Sequence, residues 1–280
     1  MRCRLTRFRH LTLTVGLGLA CGSVGCGGGV PLLYPARTLA AGDVRASGGT
    51  SGSFVVGSLA NDVSAARTDM ARGPVVPGSP RADPTYAKGA LVLAAVAPGM
   101  APYVSGRVGL GGRFEGGVTY TGRVAHVDAR RSFDWNDVSL SVGFGMEVPI
   151  YGDPDTTTLP QIDLSSIRGF GADVPVLIGW QSAARVYMVW GGVRAGWDHT
   201  NVGAAAAAEP GSPDIDAPLT LSCDRFYGAG VVGLAAGFRH VHVALELDVA
   251  YQTVSGTFNA TPVTLQGLSM APATALWWTF

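Results

Sequence analysis

Lysine is all but missing from this chain: Lys88 is the only one among 280 residues. Charged residues of every kind make up 14%, where a soluble domain carries about 25%. The formal net charge is +0 and the arginines are scattered, so nothing marks a nucleic-acid partner. Outside the N-terminus there is no run of about 18 apolar residues, which excludes a membrane protein built on helices. Cysteine is scarce as well. Cys3, Cys21 and Cys26 sit at the N-terminus, which leaves Cys223 as the one thiol of the body. A paired-cysteine metal site is thereby excluded, and so is an internal disulfide framework if Cys26 is acylated. There is no GK[ST] phosphate loop. Gly109-Leu110-Gly111-Gly112 lies between two strand-like stretches, with no helix to receive a phosphate, and reads as a turn.

The N-terminus has the layout of an export signal. MRCRLTRFRH carries four arginines and is followed by LTLTVGLGLA, a ten-residue apolar run too short to span a bilayer. Residues 1–25 are therefore set aside as a signal peptide. The stretch CGSVGC then resembles a bacterial lipoprotein cleavage box, with acylation expected at Cys26, or alternatively at Cys21. An ordinary cleaved signal with incidental cysteines is the competing reading. Residues 26–43 are expected to form a periplasmic tether.

What the chain has in place of charge is alternation. Residues 240–252, HVHVALELDVAYQ, set Val241, Val243, Leu245, Leu247, Val249 and Tyr251 against His240, His242, Ala244, Glu246, Asp248, Ala250 and Gln252. A period of two is a β-strand with one apolar face. The pattern recurs in 138–150 (Val138, Leu140, Val142, Phe144, Met146, Val148, Ile150), in 169–180 and in the final strand. The non-apolar face is rich in Gly, Ala and Ser with scattered charges, where a water-facing sheet would carry many Lys and Glu. Tyr187 and Trp197 share one face ten residues apart, about 25 Å at roughly 3.3 Å per residue and about 40° of tilt, which is the height of a lipid-facing band.

The chain ends ATALWWTF, with Leu276, Trp278 and Phe280 on one face. This resembles the C-terminal strand of bacterial outer-membrane β-barrel proteins, where a final aromatic after alternating apolar residues is the assembly signal. The resemblance is to a superfamily and covers about residues 44–280. It implies an all-β fold, a closed antiparallel transmembrane barrel in the outer membrane, with outer-membrane lipids and the barrel-assembly machinery as partners. It implies no particular activity. Ten strands are expected, within a range of eight to twelve, near 44–56, 100–110, 112–122, 124–133, 137–150, 167–181, 184–198, 225–238, 240–254 and 266–280. Long external loops are expected near 57–99, 151–166, 199–224 and 255–265, with short turns at the periplasmic end. ALVLAAVA, 90–97, reads as a helix, a plug or an extra strand. Because unpaired amides are costly in hydrocarbon, residues 44–56 must close the barrel against the last strand.

With apolar side chains facing lipid, the polar set forms a lumen network: Arg107, Glu115, Arg123, Asp128, Arg130, Glu147, Asp173, Arg194, His240, His242, Glu246 and Asp248. Two sharper chemistries compete with it. His240 and His242, about 6.6 Å apart along one strand face, could share a metal. A histidine beside Ser139 or Ser141 could activate a nucleophile for acyl hydrolysis. The charge network is the simpler account, so no metal, cofactor or enzymatic role is assigned. The expected function is structural, or binding through external loops, with a side-chain-filled lumen. A narrow pore for small polar solutes is the alternative, followed by a lipid-modifying enzyme and an exported soluble β-sandwich.

Overall fold

The computed structural model describes residues 29–71, 84–150, 167–202, 220–258 and 261–280. The described residues form ten strands: β1 Val44–Val56, β2 Gly99–Gly111, β3 Phe114–Tyr120, β4 Val124–Trp135, β5 Val138–Pro149, β6 Ile167–Gln181, β7 Tyr187–Val202, β8 Leu221–Phe238, β9 Val241–Phe258 and β10 Thr261–Thr279. Every strand pairs antiparallel with its sequence neighbour, and β1 pairs with β10, so the barrel closes with no free edge. Closure is what hydrocarbon demands, since a lipid-exposed edge would leave amides without partners. No helix among the described residues is long and apolar enough to cross a membrane.

The alternation decides the facing. Val142, Phe144, Met146 and Val148 on β5 are exposed on the outer wall, as are Val243, Leu245, Val249 and Tyr251 on β9. Their partners Ser139, Ser141, Ala244, Glu246 and Asp248 are buried inside. Greasy residues outside and polar residues inside is the arrangement of a barrel dissolved in lipid. Aromatic side chains rim the band. Phe170, Trp197 and Phe226 contact one another at one end, with ring centroids 5.2 and 6.4 Å apart. Trp278 and Phe280 stack at the other.

Above the Tyr251 level the polarity inverts. On β9 the outward residues become Thr253, Ser255 and Thr257, while Val254 and Phe258 turn inward and are buried. Ile167, Val202, Leu221, Cys223 and Leu265 do the same on their strands. Strands β6 to β10 therefore rise out of the lipid band, wet on the outside and apolar within. This corrects the loop expected at 255–265: β9 and β10 extend through it and leave only 259–260 between them. The 199–224 loop is shortened in the same way by β7 and β8, and 151–166 lies outside the described residues.

The apolar interior at that end is covered by two helices, α1 Ser58–Ala71 and α2 Pro84–Val96. They fall where a long loop was expected at 57–99. Proline begins α2, where its missing N–H costs nothing. Its Ala90, Leu91 and Val92 are fully buried and pack with Leu59, Val254, Phe258 and Leu265. The ambiguous ALVLAAVA segment is thus a helical cap, continuous with the apolar lining beneath it.

At the opposite end the strands meet in short turns. Arg113, Asn136, Arg185 and Arg239 adopt left-handed conformations there, with φ of 66, 51, 55 and 55°. The Gly109–Gly112 stretch completes the β2–β3 turn, Gly111 and Gly112 having φ of 85 and 59°.

Candidate functional site

The lumen holds a segment of the chain itself. Residues 29–43, ahead of β1, run inside the barrel instead of forming the expected free tether. Leu32, Leu33, Tyr34 and Ala36 are at most 2% exposed and pack against Tyr103, Leu177, Trp190 and Trp277. Gly29 donates to the Gly52 carbonyl at 3.3 Å, toward the capped end of β1. Gly42 donates to the Gly109 carbonyl at 2.9 Å, at the short-turn end. The segment therefore descends the barrel axis before β1 climbs the wall, and it acts as a plug.

Three polar clusters hold it. In the first, Glu115 receives Arg107 and Arg130, and Arg107 also donates to Asp128 at 2.5 and 2.9 Å. The Tyr34 ring is sandwiched between the two guanidiniums, each 4.1 Å from its centroid. Arg130 then donates to the Pro35 carbonyl at 2.6 Å, while the Leu39 amide donates to Glu115 at 2.8 Å. In the second cluster Asp173 receives Arg194 at 2.5 Å and His126 at 2.9 Å, and Arg194 also donates to the Val30 carbonyl at 2.5 Å. In the third, Glu246 accepts the Leu32 amide at 2.6 Å, the Leu33 amide at 2.9 Å and the Trp190 indole N–H at 2.8 Å. Buried ion pairs stabilise little on balance, because desolvation offsets the attraction. Their effect here is positional: charges that the wall must satisfy are satisfied by the backbone of the plug.

Of the residues expected in the lumen network, Arg107, Glu115, Asp128 and Arg130 meet in one group and Asp173 and Arg194 in another. Glu246 stands apart at the plug. Glu147 and Asp248 line a chamber of about 110 Å³ between the plug and α2, together with Asp198, Arg225 and Gln252. Asp248 Oδ1, Asp198 Oδ1 and both Gln252 amide atoms are buried there without a hydrogen-bond partner among the described residues. Buried polar groups of this kind are satisfied by water. Arg123 lies higher, donating to the Ala94 carbonyl of α2 at 3.1 Å.

His240 does not belong to the lumen. It is exposed in the β8–β9 turn and donates to the Thr279 carbonyl at 2.7 Å. His242 is buried and donates to the Arg185 carbonyl, also at 2.7 Å. The two imidazoles thus face different partners, and the shared-metal geometry is not formed. The Ser139 hydroxyl accepts from Arg37 Nε at 2.9 Å, so it is engaged by the plug and not by a histidine. Leu276, Trp278 and Phe280 are exposed on the outer wall of the closing strand and its end. Cys21 and Cys26 lie outside the described residues.

Several members of the site were not foreseen. His126, Asp198 and Arg225 share the inward parity of Asp128, Arg194 and Tyr227, and strict strand parity would have found them. The plug residues carry no periodicity. Their one signal is the apolar Leu32-Leu33-Tyr34 in a segment expected to be a periplasmic tether.

No protein-family model matches this chain, and no curated protein matches it. Among solved structures it is similar to Neisserial surface protein A, at 11% identity and a TM-score of 0.30, covering 85% of this chain and 99% of that one. It is also similar to Ail, the attachment invasion locus protein of Yersinia pestis, at 9% identity and a TM-score of 0.30, covering 86% and 99%. Scores this low carry no argument about function. The architecture rests on the strand pairing and facing of this chain, which is a closed ten-stranded antiparallel β-barrel with an apolar outer wall.

Proposed function

We propose that this chain is an outer-membrane barrel kept shut by its own N-terminal segment, working as a binding or structural protein through the surface it raises beyond the membrane. The reading takes the short-turn end as periplasmic and the capped end as external, following the turn-and-loop asymmetry of such barrels. It includes insertion by the barrel-assembly machinery through Leu276, Trp278 and Phe280. The observation that carries it is the plug: the Leu32 and Leu33 amides on Glu246 and the Pro35 carbonyl on Arg130 tie the segment across the lumen. With the lumen filled, the free surface among the described residues is the polar outer wall around Ser255 and Thr257. Loops held by a rigid barrel are where recognition concentrates.

Planar-bilayer recording tests this reading. The intact protein gives a silent trace, and a variant lacking residues 29–43 gives discrete openings. Steady conductance from the intact protein would reject it in favour of a narrow pore. That second reading draws on the chamber of about 110 Å³ and a vestibule of about 320 Å³, which flank the plug like two halves of a path.

A further inference from the structure

The vestibule at the short-turn end has a composition the closed-barrel reading does not use. Its lining includes Arg37, Arg45, Arg113, Arg185 and Arg239, against only Asp43 and Asp134. Asp134 is shared by Arg37 and Arg113, at 3.6 and 3.5 Å. Among the described residues Arg45, Arg185 and Arg239 have no carboxylate partner. Arg45 is the unusual one. It is 6% exposed, its guanidinium lies 4.6 Å from the Trp277 ring centroid, and its Nε and Nη1 have no hydrogen-bond partner among the described residues. A buried guanidinium with idle donors is costly unless an acceptor completes it.

The turns supply an independent observation. Arg113, Arg185 and Arg239 hold left-handed conformations at three of the four short turns. Asn or Gly adopts that conformation with less strain, and Asn136 does so at the fourth. Arginine at these positions retains charge where the backbone favours another residue. Strain kept in place by its surroundings points to function.

We infer that this vestibule is a binding site for a phosphate-type oxyanion, with Arg45 as its buried donor and Arg185 and Arg239 as its rim. Guanidinium groups match the paired oxygens of phosphate, and a cationic cleft with low-dielectric walls concentrates anions. The floor of the site is the plug, through Pro35, Arg37 and Leu39. The phosphate could belong to a soluble ester or to a lipid headgroup of the adjacent leaflet, and the chemistry is the same for both.

The test is calorimetric titration of the full chain in uncharged detergent with inorganic pyrophosphate, against sodium chloride at matched ionic strength. A parallel arm uses nanodiscs of phosphatidylcholine with and without phosphatidylglycerol, read by tryptophan emission. Saturable pyrophosphate binding identifies a soluble ligand. A saturable change only with phosphatidylglycerol identifies a headgroup. In either arm the double variant Arg185→Asn, Arg239→Asn, which suits both turns and should fold, weakens binding at least tenfold, and Arg45→Gln abolishes it. No saturable response in either arm overturns the inference. So does binding that the double variant leaves unchanged.

Discussion

Replacing Glu246 by Ala isolates what the plug contributes. The carboxylate accepts three buried donors, the Leu32 and Leu33 amides and the Trp190 indole N–H. Leaving a buried donor unsatisfied costs about 1–3 kcal/mol. Water from the neighbouring chamber can recover part of this, so the lower half of the range applies, about 3–6 kcal/mol for the three together. The barrel wall keeps its ladders, because Glu246 uses only its side chain here. The loss therefore falls on local opening of the plug and not on global unfolding. At about 1.4 kcal/mol per tenfold, amides of residues 30–39 should exchange with deuterium about 10²–10⁴ times faster in Glu246→Ala. Strand amides of β8 and β9 should keep their protection. Glu246→Gln retains one acceptor oxygen for the two backbone amides and turns its N–H₂ on Trp190, so its effect should be intermediate. Hydrogen exchange read by mass spectrometry reports all of these at once. Unchanged exchange in 30–39 would refute the plug, and loss of protection in β8 and β9 in step with it would refute the claim that it opens locally.

The inversion at Tyr251 predicts a sharp boundary on the outer face of β9: Val249→Lys should destabilise by about 2–4 kcal/mol and Thr257→Lys by less than about 1, measured by denaturant unfolding in lipid vesicles; equal costs would contradict the boundary. Val142→Arg should cost about 2–4 kcal/mol through lipid exposure. Gly143→Ala should lose stability by crowding instead, since a Cβ there would meet Arg130 Cβ at 3.1 Å and Pro175 Cγ at 3.2 Å. The same unfolding assay in vesicles of different thickness separates the two, because only the first should respond. Burial pushes the Tyr86 phenol, on the cap, well above its ordinary value. The unfolded phenol ionises near pH 10, so this contribution is complete below that pH and declines as pH rises above it. Tyr86→Phe also removes a buried hydroxyl without a partner among the described residues, and it should flatten the fall in melting temperature between pH 9 and 11; a fall as steep as in the parent would count against this.

The wall was legible because its code is binary. Lipid outside and a small lumen inside give a period of two with a fixed sense, and β1 and β6 fall within the expected bounds. The extension of β9 and β10 through 255–265 has a different cause. Past Tyr251 the alternation persists in β9 but its sense reverses, so Val254, Gly256 and Phe258 face in and Ser255 and Thr257 face out. An inward apolar residue beneath a helical cap and an outward one in lipid are the same letter in a sequence. Gly256 and Pro262 are residue types common in loops, so composition alone does not separate 255–265 from one. His240 failed for a simpler reason: the strand begins at Val241, so parity no longer governs its neighbour in the turn. The plug escaped because a chain held by wall side chains needs no period of its own.

The small residues of the inner wall have a role that depends on register and so is absent from any single strand's pattern. Arg107 lies directly across from Gly117, and Trp190 directly across from Gly233. A Cβ on Gly117 would fall 2.5 Å from the Arg107 guanidinium, and one on Gly233 would fall 2.1 Å from the Trp190 ring. Gly196 stands in the same relation to Tyr227, and Gly171 to Asp198. Arg107, Trp190 and Tyr227 thus lie flat over a glycine of the next strand instead of pointing at the axis. Lying flat leaves the axis open, and the open axis is the space the plug fills. Among the glycines that read from sequence as a curved, roomy lumen, Gly117, Gly233 and Gly196 are seats for Arg107, Trp190 and Tyr227. Those seats aim Arg107 at Tyr34 and Trp190 at Glu246, the contacts that hold the segment in place. A one-residue slip of either strand pair would send these side chains to the lipid face, so the register that closes the barrel also positions the groups that shut it.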